Sequence, residues 1–472
     1  MIKLDTQRWA ERRRGFDRME SEIVQRYLAA PDETPREFVD ALRYVLSFGR
    51  LLSITNPDGQ DVDVSGPMAA FAMDLERRVS ERLEQSTDLS LVTSILPQWV
   101  ERTRVARNSL LKRIPIDRDC LEKEVTTRKL VIASGGGGGA GYAYLGCYTA
   151  LDRHDLVPSL MVGTSIGALT SVFRSRTRHY DLAVAVAAAK ELTWTDVFKV
   201  LEVDSRYGLP ATLRMYLQSA LGPIINRDRE RPLTLSDMEI PLYVMVTGIT
   251  VDALKYDLNY YQHLMGPNIE RRNSRALMKG IFRGLGILRE FLSSPEALKE
   301  IVLGRDEGTA DFNAIDAAGF SAAVPGVLHY DVLRDDARMK ELLDHLYAEF
   351  GITRLGEGGL VSNVPARVGW ESVVSGRFGN RQPFVIALDC FAPKKRKLAW
   401  YPIQQMIRSA NVEADKAFAD LYLPLPKTLS PLNLVPPLRD AVIAMKWGEE
   451  AIKPHLPYIV EMMRTLPTLR DS

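Results

Sequence analysis

The feature that most constrains this chain is a run of five glycines at residues 135–139. A short β-prone run, residues 129–133, precedes the glycines, and a helical pattern follows them. Gly136, Gly138 and Gly141 have the spacing G-x-G-x-x-G, which lets backbone N–H groups close on an anion at the start of a helix. A polyglycine linker would lack such flanking elements. The pattern therefore predicts a strand, an anion-binding loop and a helix.

A second glycine-flanked motif lies at the end of the next β-prone run. A dinucleotide-binding oxidoreductase would carry an acidic residue there, about 20 residues after the loop. Residues 163–167 read Gly-Thr-Ser-Ile-Gly instead, which is the G-x-S-x-G turn that presents a serine hydroxyl between a strand and a helix. We therefore expect Ser165 to attack an ester carbonyl. The expected N–H donors to the resulting oxyanion belong to four loop residues, Gly136, Gly137, Gly138 and Gly139.

Composition excludes several classes of protein. The chain has 61 Lys plus Arg against 60 Asp plus Glu, so its net charge of +1 gives no general basic field, and no nucleic-acid partner is expected. Cys120, Cys147 and Cys390 are too few and too scattered for a disulfide framework or a zinc cluster. The N-terminus lacks the apolar run of a secretory signal, and no apolar run reaches the roughly 18 residues that span a bilayer. The expected location is cytoplasmic, with any membrane contact peripheral.

The pattern of the sequence changes twice along the chain. Residues 1–125 mix charged and apolar positions at helical spacing, which predicts a helical accessory region. Residues 126–425 alternate β-prone runs with helical patterns, which predicts an α/β domain with a mostly parallel sheet. Prolines then interrupt the pattern, and residues 426–472 are predicted to form a C-terminal helical tail.

Two further motifs follow the serine turn. Residues 318–326 contain Ser321, Ala322 and Pro325, and residues 357–365 read Glu-Gly-Gly-Leu-Val-Ser-Asn-Val-Pro. Together with the glycine loop and the serine turn, they resemble the patatin-like phospholipases over about residues 130–389. The resemblance implies a three-layer α/β/α fold, hydrolysis of acyl esters of membrane lipids by a serine–aspartate dyad, and no metal or other cofactor. It places Ser165 and Glu357 at the two positions of the dyad.

Two positions depart from the family's pattern. The acid of the dyad is aspartate in the family, whereas this chain has Glu357. Glutamate is also a base, but its extra methylene shifts the carboxylate by about 1.5 Å, and a misplacement of that order can cost about 10²-fold in rate. The residue before the last loop glycine is usually basic in the family and is Ala140 here. The departures favour, as an alternative, a catalytically weak protein that binds lipid or a protein partner.

A second carboxylate competes with Glu357 for the role of base. Asp389 ends the β-prone run at residues 384–388, and active-site residues often lie at strand ends in open α/β sheets. The order Ser165, Asp389, His455 would also suit a hydrolase triad, although His455 stands in the C-terminal tail. The Gly-Gly turn that follows Glu357 favours Glu357.

Two basic segments are candidates for contact with a membrane. In the stretch from Arg271 to Leu292, cationic residues recur at every fourth position beside an apolar stripe, as in helices that lie on anionic membranes. An amphipathic helix packed on a protein core has the same pattern, and the sequence does not separate the two. The basic cluster from Lys394 to Lys397 stands before aromatic residues and would suit a lipid head group or a solvated loop.

Overall fold

The computed structural model describes residues 6–200, 206–209, 211–250, 295–332, 334–392 and 412–470. The chain forms two compact units. The helical unit comprises Met1–Leu130, Trp370–Val385 and Pro454–Ser472, and the sheet unit comprises Val131–Gly369 and Ile386–Lys453. The candidate lipid-contact segments, from Arg271 to Leu292 and from Lys394 to Lys397, lie outside the described residues. The domain boundaries predicted near residues 125 and 425 stay a prediction, because compact units do not show which parts of the chain fold independently.

Helices and strands cover most of the described residues. The helices are α1 Thr6–Ala29, α2 Arg36–Gly49, α3 Ser65–Gln85, α4 Ser90–Arg113, α5 Arg118–Thr126, α6 Ala143–Asp152, α7 Ile166–Ser175, α8 Leu182–Glu191, α9 Trp194–Val197, α10 Leu217–Ile225, α11 Ala314–Ser321, α12 Ala337–Phe350, α13 Ala366–Val374, α14 Glu413–Lys416, α15 Leu438–Ile452 and α16 Leu456–Met463. The strands are β1 Ser53–Thr55, β2 Asp61–Asp63, β3 Lys129–Ser134, β4 Leu160–Gly163, β5 Phe198–Val200, β6 Ala211–Met215, β7 Leu242–Ile249, β8 Leu298–Leu303, β9 Gly326–His329, β10 Arg354–Glu357, β11 Pro383–Asp389 and β12 Leu421–Pro424. None of the described helices combines the length and the apolar character that crossing a membrane requires.

Apolar faces of its helices build the core of the helical unit. Val39, Leu42 and Leu46 recur at three- and four-residue spacing along α2, so they lie on one face of that helix. They pack in one buried cluster with Leu75 and Val79 of α3. Each such side chain contributes about 1.5–3 kcal/mol when it leaves water.

The helical unit also buries a carboxylate among arginines. Glu20 of α1 is fully buried, and the Nε of Arg43 donates to its Oε1 at 3.0 Å. A guanidinium nitrogen of Arg50 donates to Oε2 at 2.6 Å, and Arg128 donates to the same oxygen. The arginines lower the pKa of Glu20 below its usual range despite its burial, so this side chain is ionised in the folded protein.

The sheet unit contains a mixed sheet. Among the described residues it has seven strands. Six of them follow the order β10-β7-β4-β3-β11-β12, and the seventh, β8, pairs with β7. The pairs β3–β4, β4–β7 and β11–β12 are parallel, whereas β7 is antiparallel to both β8 and β10. A smaller sheet has the order β5-β6-β9. The predicted α/β class, with a helical N-terminal region and a C-terminal helix, is confirmed.

The register of β7 brings two strand ends together. Gly163 at the end of β4 pairs with Val244 of β7, and Glu357 at the end of β10 pairs with Val246. Strand β8 pairs with both of these β7 residues from the opposite edge, so β4 and β10 share one edge. Because β4 is parallel and β10 antiparallel to β7, the carboxyl ends of β4 and β10 point toward each other, two positions apart along β7. The residues that follow Gly163 therefore meet Glu357.

Candidate active site

Ser165 stands at a tight turn between β4 and α7. Its backbone angles, φ 57° and ψ −126°, lie where residues with a side chain rarely occur. A Cβ atom at Gly163 would lie 2.5 Å from the Cα of Ala168, and one at Gly167 would lie 2.0 Å from the carbonyl oxygen of Ser134. Both positions therefore require glycine, which explains the flanking residues of the G-x-S-x-G motif.

The segment 318–326 holds the main chain of both candidate catalytic residues. The N–H of Ser165 donates to Oγ of Ser321 at 2.8 Å. The N–H of Glu357 donates to the carbonyl of Ala323 at 3.1 Å. Oγ1 of Thr247, on β7, donates to the carbonyl of Glu357 at 2.7 Å. The third motif thus has a positioning role that sequence reasoning did not assign to it.

The side chains of Ser165 and Glu357 lie next to each other. Hydrogen bonding from the Ser165 hydroxyl and from the N–H of Gly359 lowers the pKa of the Glu357 carboxyl. Oε2 of Glu357 has no hydrogen-bond partner among the described residues. Burial raises the pKa of Glu357 to about 8, although the two hydrogen bonds lower it in part. A carboxyl group with this pKa can exchange its proton near neutral pH, as a general base must.

Two of the four loop glycines already use their N–H groups. The N–H of Gly136 donates to the carbonyl of Asn363 at 3.0 Å, and the N–H of Gly139 donates to the carbonyl of Pro431 at 2.9 Å. These bonds fix the two ends of the loop. Because each N–H is occupied, neither is available to an oxyanion in this conformation.

The other two loop glycines keep their N–H groups available. No described residue accepts a hydrogen bond from Gly137 or Gly138, and both line the same cavity as Ser165. Their φ angles of 154° and 55° are accessible to glycine and strained for other residues. Gly137 and Gly138 therefore line the serine cavity and have N–H groups that no described residue uses.

Asn363 of the fourth motif completes the centre of the site. A Cβ atom at Gly136 would lie 2.7 Å from Oδ1 of Asn363, 3.1 Å from Cβ of Ser165 and 3.5 Å from Oε1 of Glu357. One at Gly359 would lie 2.9 Å from the same Oδ1. Asn363 therefore contacts both the glycine loop and the turn after Glu357. The sequence indicated Asn363 through its place in the motif but gave it no role.

A cavity of about 230 Å³ opens at the Ser165 hydroxyl. Its polar lining near the serine comes from Glu357 and Asn363. Most of the remaining wall is apolar, with contributions that include Leu169, Phe173, Ala188, Phe198, Met215 and Leu221. Such a wall suits a hydrocarbon chain, with its polar group held at the serine end.

The alternative base, Asp389, is engaged elsewhere. Its Oδ2 accepts a hydrogen bond from the hydroxyl of Tyr422 at 2.5 Å, and its Oδ1 accepts one from the N–H of Phe391 at 2.8 Å. Asp389 is buried and does not line the cavity at Ser165. His455 is half-buried and belongs to the helical unit. The described contacts therefore favour Glu357 as the partner of the serine.

The described residues do not form a set of ligands for a metal ion. Within the described ranges, no group of three or more His, Cys, Asp and Glu side chains is arranged to hold an ion. The end of β4, where a dinucleotide fold would carry its acidic residue, carries Ser165 instead.

A comparison with known protein families gives a match for this chain. A family model described as patatin-like phospholipase matches residues 132–370, just over half of the chain. The matched residues include the glycine loop, Ser165 and Glu357, and they end before the segment that contains Pro431. No curated protein matches the chain.

Proposed function

The chain belongs to the patatin-like phospholipase family, and on that basis we propose that it is a serine acyl hydrolase that cleaves acyl esters of membrane lipids. The nucleophile is Ser165 and the general base is Glu357. The observation that carries the proposal is the position of the Ser165 side chain beside a buried carboxylate at the mouth of an apolar cavity.

Acylation begins when the ester carbonyl enters beside Ser165. Glu357 accepts the hydroxyl proton while Oγ forms a bond to the carbonyl carbon, and the carbonyl oxygen becomes an oxyanion. The N–H groups of Gly137 and Gly138 donate to that oxyanion. The tetrahedral intermediate then collapses, the alcohol leaves with the proton held by Glu357, and the acyl group remains on Ser165.

Deacylation uses the same groups in the same order. Glu357 accepts a proton from a water molecule, and the resulting nucleophile attacks the acyl carbonyl. The oxyanion again lies at Gly137 and Gly138, and Oγ of Ser165 leaves with the proton that Glu357 returns. Fatty acid and free serine result, so the carboxyl group must take up a proton and give it back twice in each turnover.

The apolar lining of the cavity supports an acyl lipid as the substrate. Its apolar wall would hold the acyl chain, which removes hydrocarbon from water at about 0.8 kcal/mol for each CH₂ group. Membrane contact through the stretches from Arg271 to Leu292 and from Lys394 to Lys397 stays a prediction, because both stretches lie outside the residues that the structure describes.

A second candidate function is lipid binding with little turnover. The pKa of Glu357, about 8, favours it, because a largely protonated carboxyl group is a poor base at neutral pH. On this view the cavity holds an acyl lipid and Ser165 seldom reacts. Measuring turnover at pH 9 separates the two functions. A dyad that is limited only by protonation of Glu357 should regain its activity at that pH.

Labelling with a fluorophosphonate, followed by measurement of fatty acid release from phospholipid vesicles, tests the proposal. We expect labelling of the wild type that Ser165→Ala abolishes and Glu357→Ala strongly reduces. Ser175→Ala is the matched control, because Ser175 lies on α7, is fully buried and has a hydroxyl without a hydrogen-bond partner among the described residues. Labelling that survives in Ser165→Ala, or a folded wild type that neither labels nor releases fatty acid at any pH, would refute the proposal. Running each protein with and without anionic vesicles also tests membrane contact.

A further inference from the structure

A segment outside the family-matched residues lies directly against the glycine loop. Residues 430–436 read Ser-Pro-Leu-Asn-Leu-Val-Pro. The N–H of Gly139 donates to the carbonyl of Pro431 at 2.9 Å. A Cβ atom at Gly138 would lie 2.3 Å from that carbonyl oxygen, and one at Gly139 would lie 2.1 Å from the carbonyl oxygen of Asn433. The two backbones are therefore as close as glycine alone permits.

A side chain adds a second attachment at the other end of the loop. Tyr142 is the last residue of the short 3₁₀ turn Gly138–Tyr142, which begins at the second of the two glycines with available N–H groups. Its hydroxyl donates to the carbonyl of Leu434 at 3.1 Å. The loop is thus tied to the segment on both sides of Ala140.

The segment is itself anchored by the helix that follows it. Helix α15 begins at Leu438 and packs on α6, the helix that continues from the glycine loop. A Cβ atom at Gly146 would lie 1.8 Å from the carbonyl oxygen of Met445, and one at Gly448 would lie 1.8 Å from that of Ala143. Close backbone contact leaves α15 little freedom to shift along α6. The loop continues into α6, α6 packs on α15, and the segment that precedes α15 returns to the loop, so each part is held by its neighbours.

The same segment forms part of the cavity wall. Pro431, Leu432, Leu434 and Val435 line the cavity at Ser165 together with Gly137 and Gly138. Residues 430–436 therefore hold the glycine loop and would also contact a substrate in the cavity.

We propose that residues 430–436 and Tyr142 are the positioning elements for the oxyanion donors. The inference rests on the proposed function. A loop of consecutive glycines loses more conformational freedom on ordering than any other sequence, yet donors stabilise an oxyanion only when they are preorganised. Attachment at Gly139 and Tyr142 supplies that order to Gly137 and Gly138 from outside the loop.

Tyr142→Phe tests the proposal with the loss of one hydroxyl. We expect kcat for a short-chain nitrophenyl ester to fall about tenfold with KM within twofold of the wild type, because the donors act in the transition state and a short acyl chain makes few contacts with the segment. Tyr347→Phe is the matched control, because Tyr347 is also half-buried and its hydroxyl also donates to a backbone carbonyl, that of Tyr207, away from the cavity. The control should keep its kcat.

Gly139→Ala disturbs the same contact independently. Its new methyl group would push against Asn433 and Ser430, so kcat should fall at least as far as in Tyr142→Phe. Gly66→Ala is its control, because a Cβ atom at Gly66 meets no neighbour within 4 Å. Wild-type values of kcat in either folded test variant, or an equal loss in Tyr347→Phe, would overturn the inference. If the wild type shows no hydrolysis that depends on Ser165, the proposed function has failed instead.

Discussion

Two buried glutamates of this chain have opposite protonation behaviour. Glu20, in the helical unit, accepts hydrogen bonds from Arg43, Arg50 and Arg128, and they hold its pKa below the usual range. Glu357, in the sheet unit, lies beside the neutral hydroxyl of Ser165 and a backbone N–H, and burial raises its pKa to about 8. Burial disfavours the charged form in both places, so the difference comes from the partners.

The comparison separates a structural carboxylate from a reactive one. A buried ion pair keeps its charge at every physiological pH and therefore cannot exchange a proton in a reaction. A buried carboxylate with neutral partners costs stability when it ionises, but its pKa approaches the pH at which a base must work. The candidate site thus has at Glu357 the condition that the helical unit avoids at Glu20.

The largest expected effect is the loss of activity in Glu357→Gln. Glutamine keeps the shape of the side chain but accepts no proton, so we expect kcat/KM for ester hydrolysis to fall about 10³-fold. Glu20→Gln should leave the activity of the folded fraction unchanged, because Glu20 does not line the cavity. Steady-state fatty acid release, corrected for the folded fraction, checks both. Comparable losses in the two variants would remove the distinction between them.

The sequence indicated the residues of the candidate site more directly than it indicated their surroundings. The glycine loop, the serine turn and the position of Glu357 are local patterns, because each depends on backbone geometry that a few adjacent glycines permit. The division of the loop into occupied and available N–H groups depends on Asn363 and Pro431, which lie more than 200 residues away. A single sequence contains no signal for such pairings.

The sheet shows the same limit. Alternating β-prone and helical runs predicted an α/β fold, and that prediction is confirmed. The same alternation does not reveal that β7 is antiparallel to β8 and β10, since strand direction depends on pairing rather than on local pattern. That pairing brings Glu357 to Ser165. In the helical unit, the spacing of charged residues predicted helices but did not predict that Arg43 and Arg50 converge on Glu20.

The second effect is the loss of stability in Glu20→Gln. Removing the carboxylate takes one counter-charge from the buried guanidinium groups of Arg43 and Arg50, which keep Glu461 and Asp17; breaking a buried pair in this way typically costs about 3–5 kcal/mol in the free energy of unfolding. Glu22→Gln is the control on the same helix, because the Glu22 side chain is 47% exposed and pairs with Arg26; it should cost about 0.5 kcal/mol or less. Urea denaturation measures both. A loss in Glu20→Gln no larger than in the control would contradict a structural role for Glu20.

A smaller effect is expected in the pH dependence of the wild type. With a pKa of about 8, roughly one tenth of Glu357 is ionised at pH 7, so kcat/KM should rise about tenfold between pH 7 and pH 9 and then level off. Ser175→Ala should give the same profile. An activity that already reaches its plateau at pH 6 would mean that the free enzyme does not hold Glu357 protonated.

The smallest effect separates the two carboxylates by the sign of their influence on stability. The folded protein keeps the proton of Glu357 up to about pH 8, whereas the unfolded chain releases it near 4.5, so stability is lost as the pH rises through this window. Glu20 has a lowered pKa, so its contribution is lost as the pH falls below the same unfolded value. The melting temperature of Glu357→Gln should therefore exceed that of the wild type by about 3 °C or more at pH 9 and by little at pH 5. Thermal unfolding followed by circular dichroism measures this difference, and Glu20→Gln should show no such gain at high pH. A difference for Glu357→Gln that stays constant between pH 5 and pH 9 would show that proton uptake at Glu357 does not accompany folding.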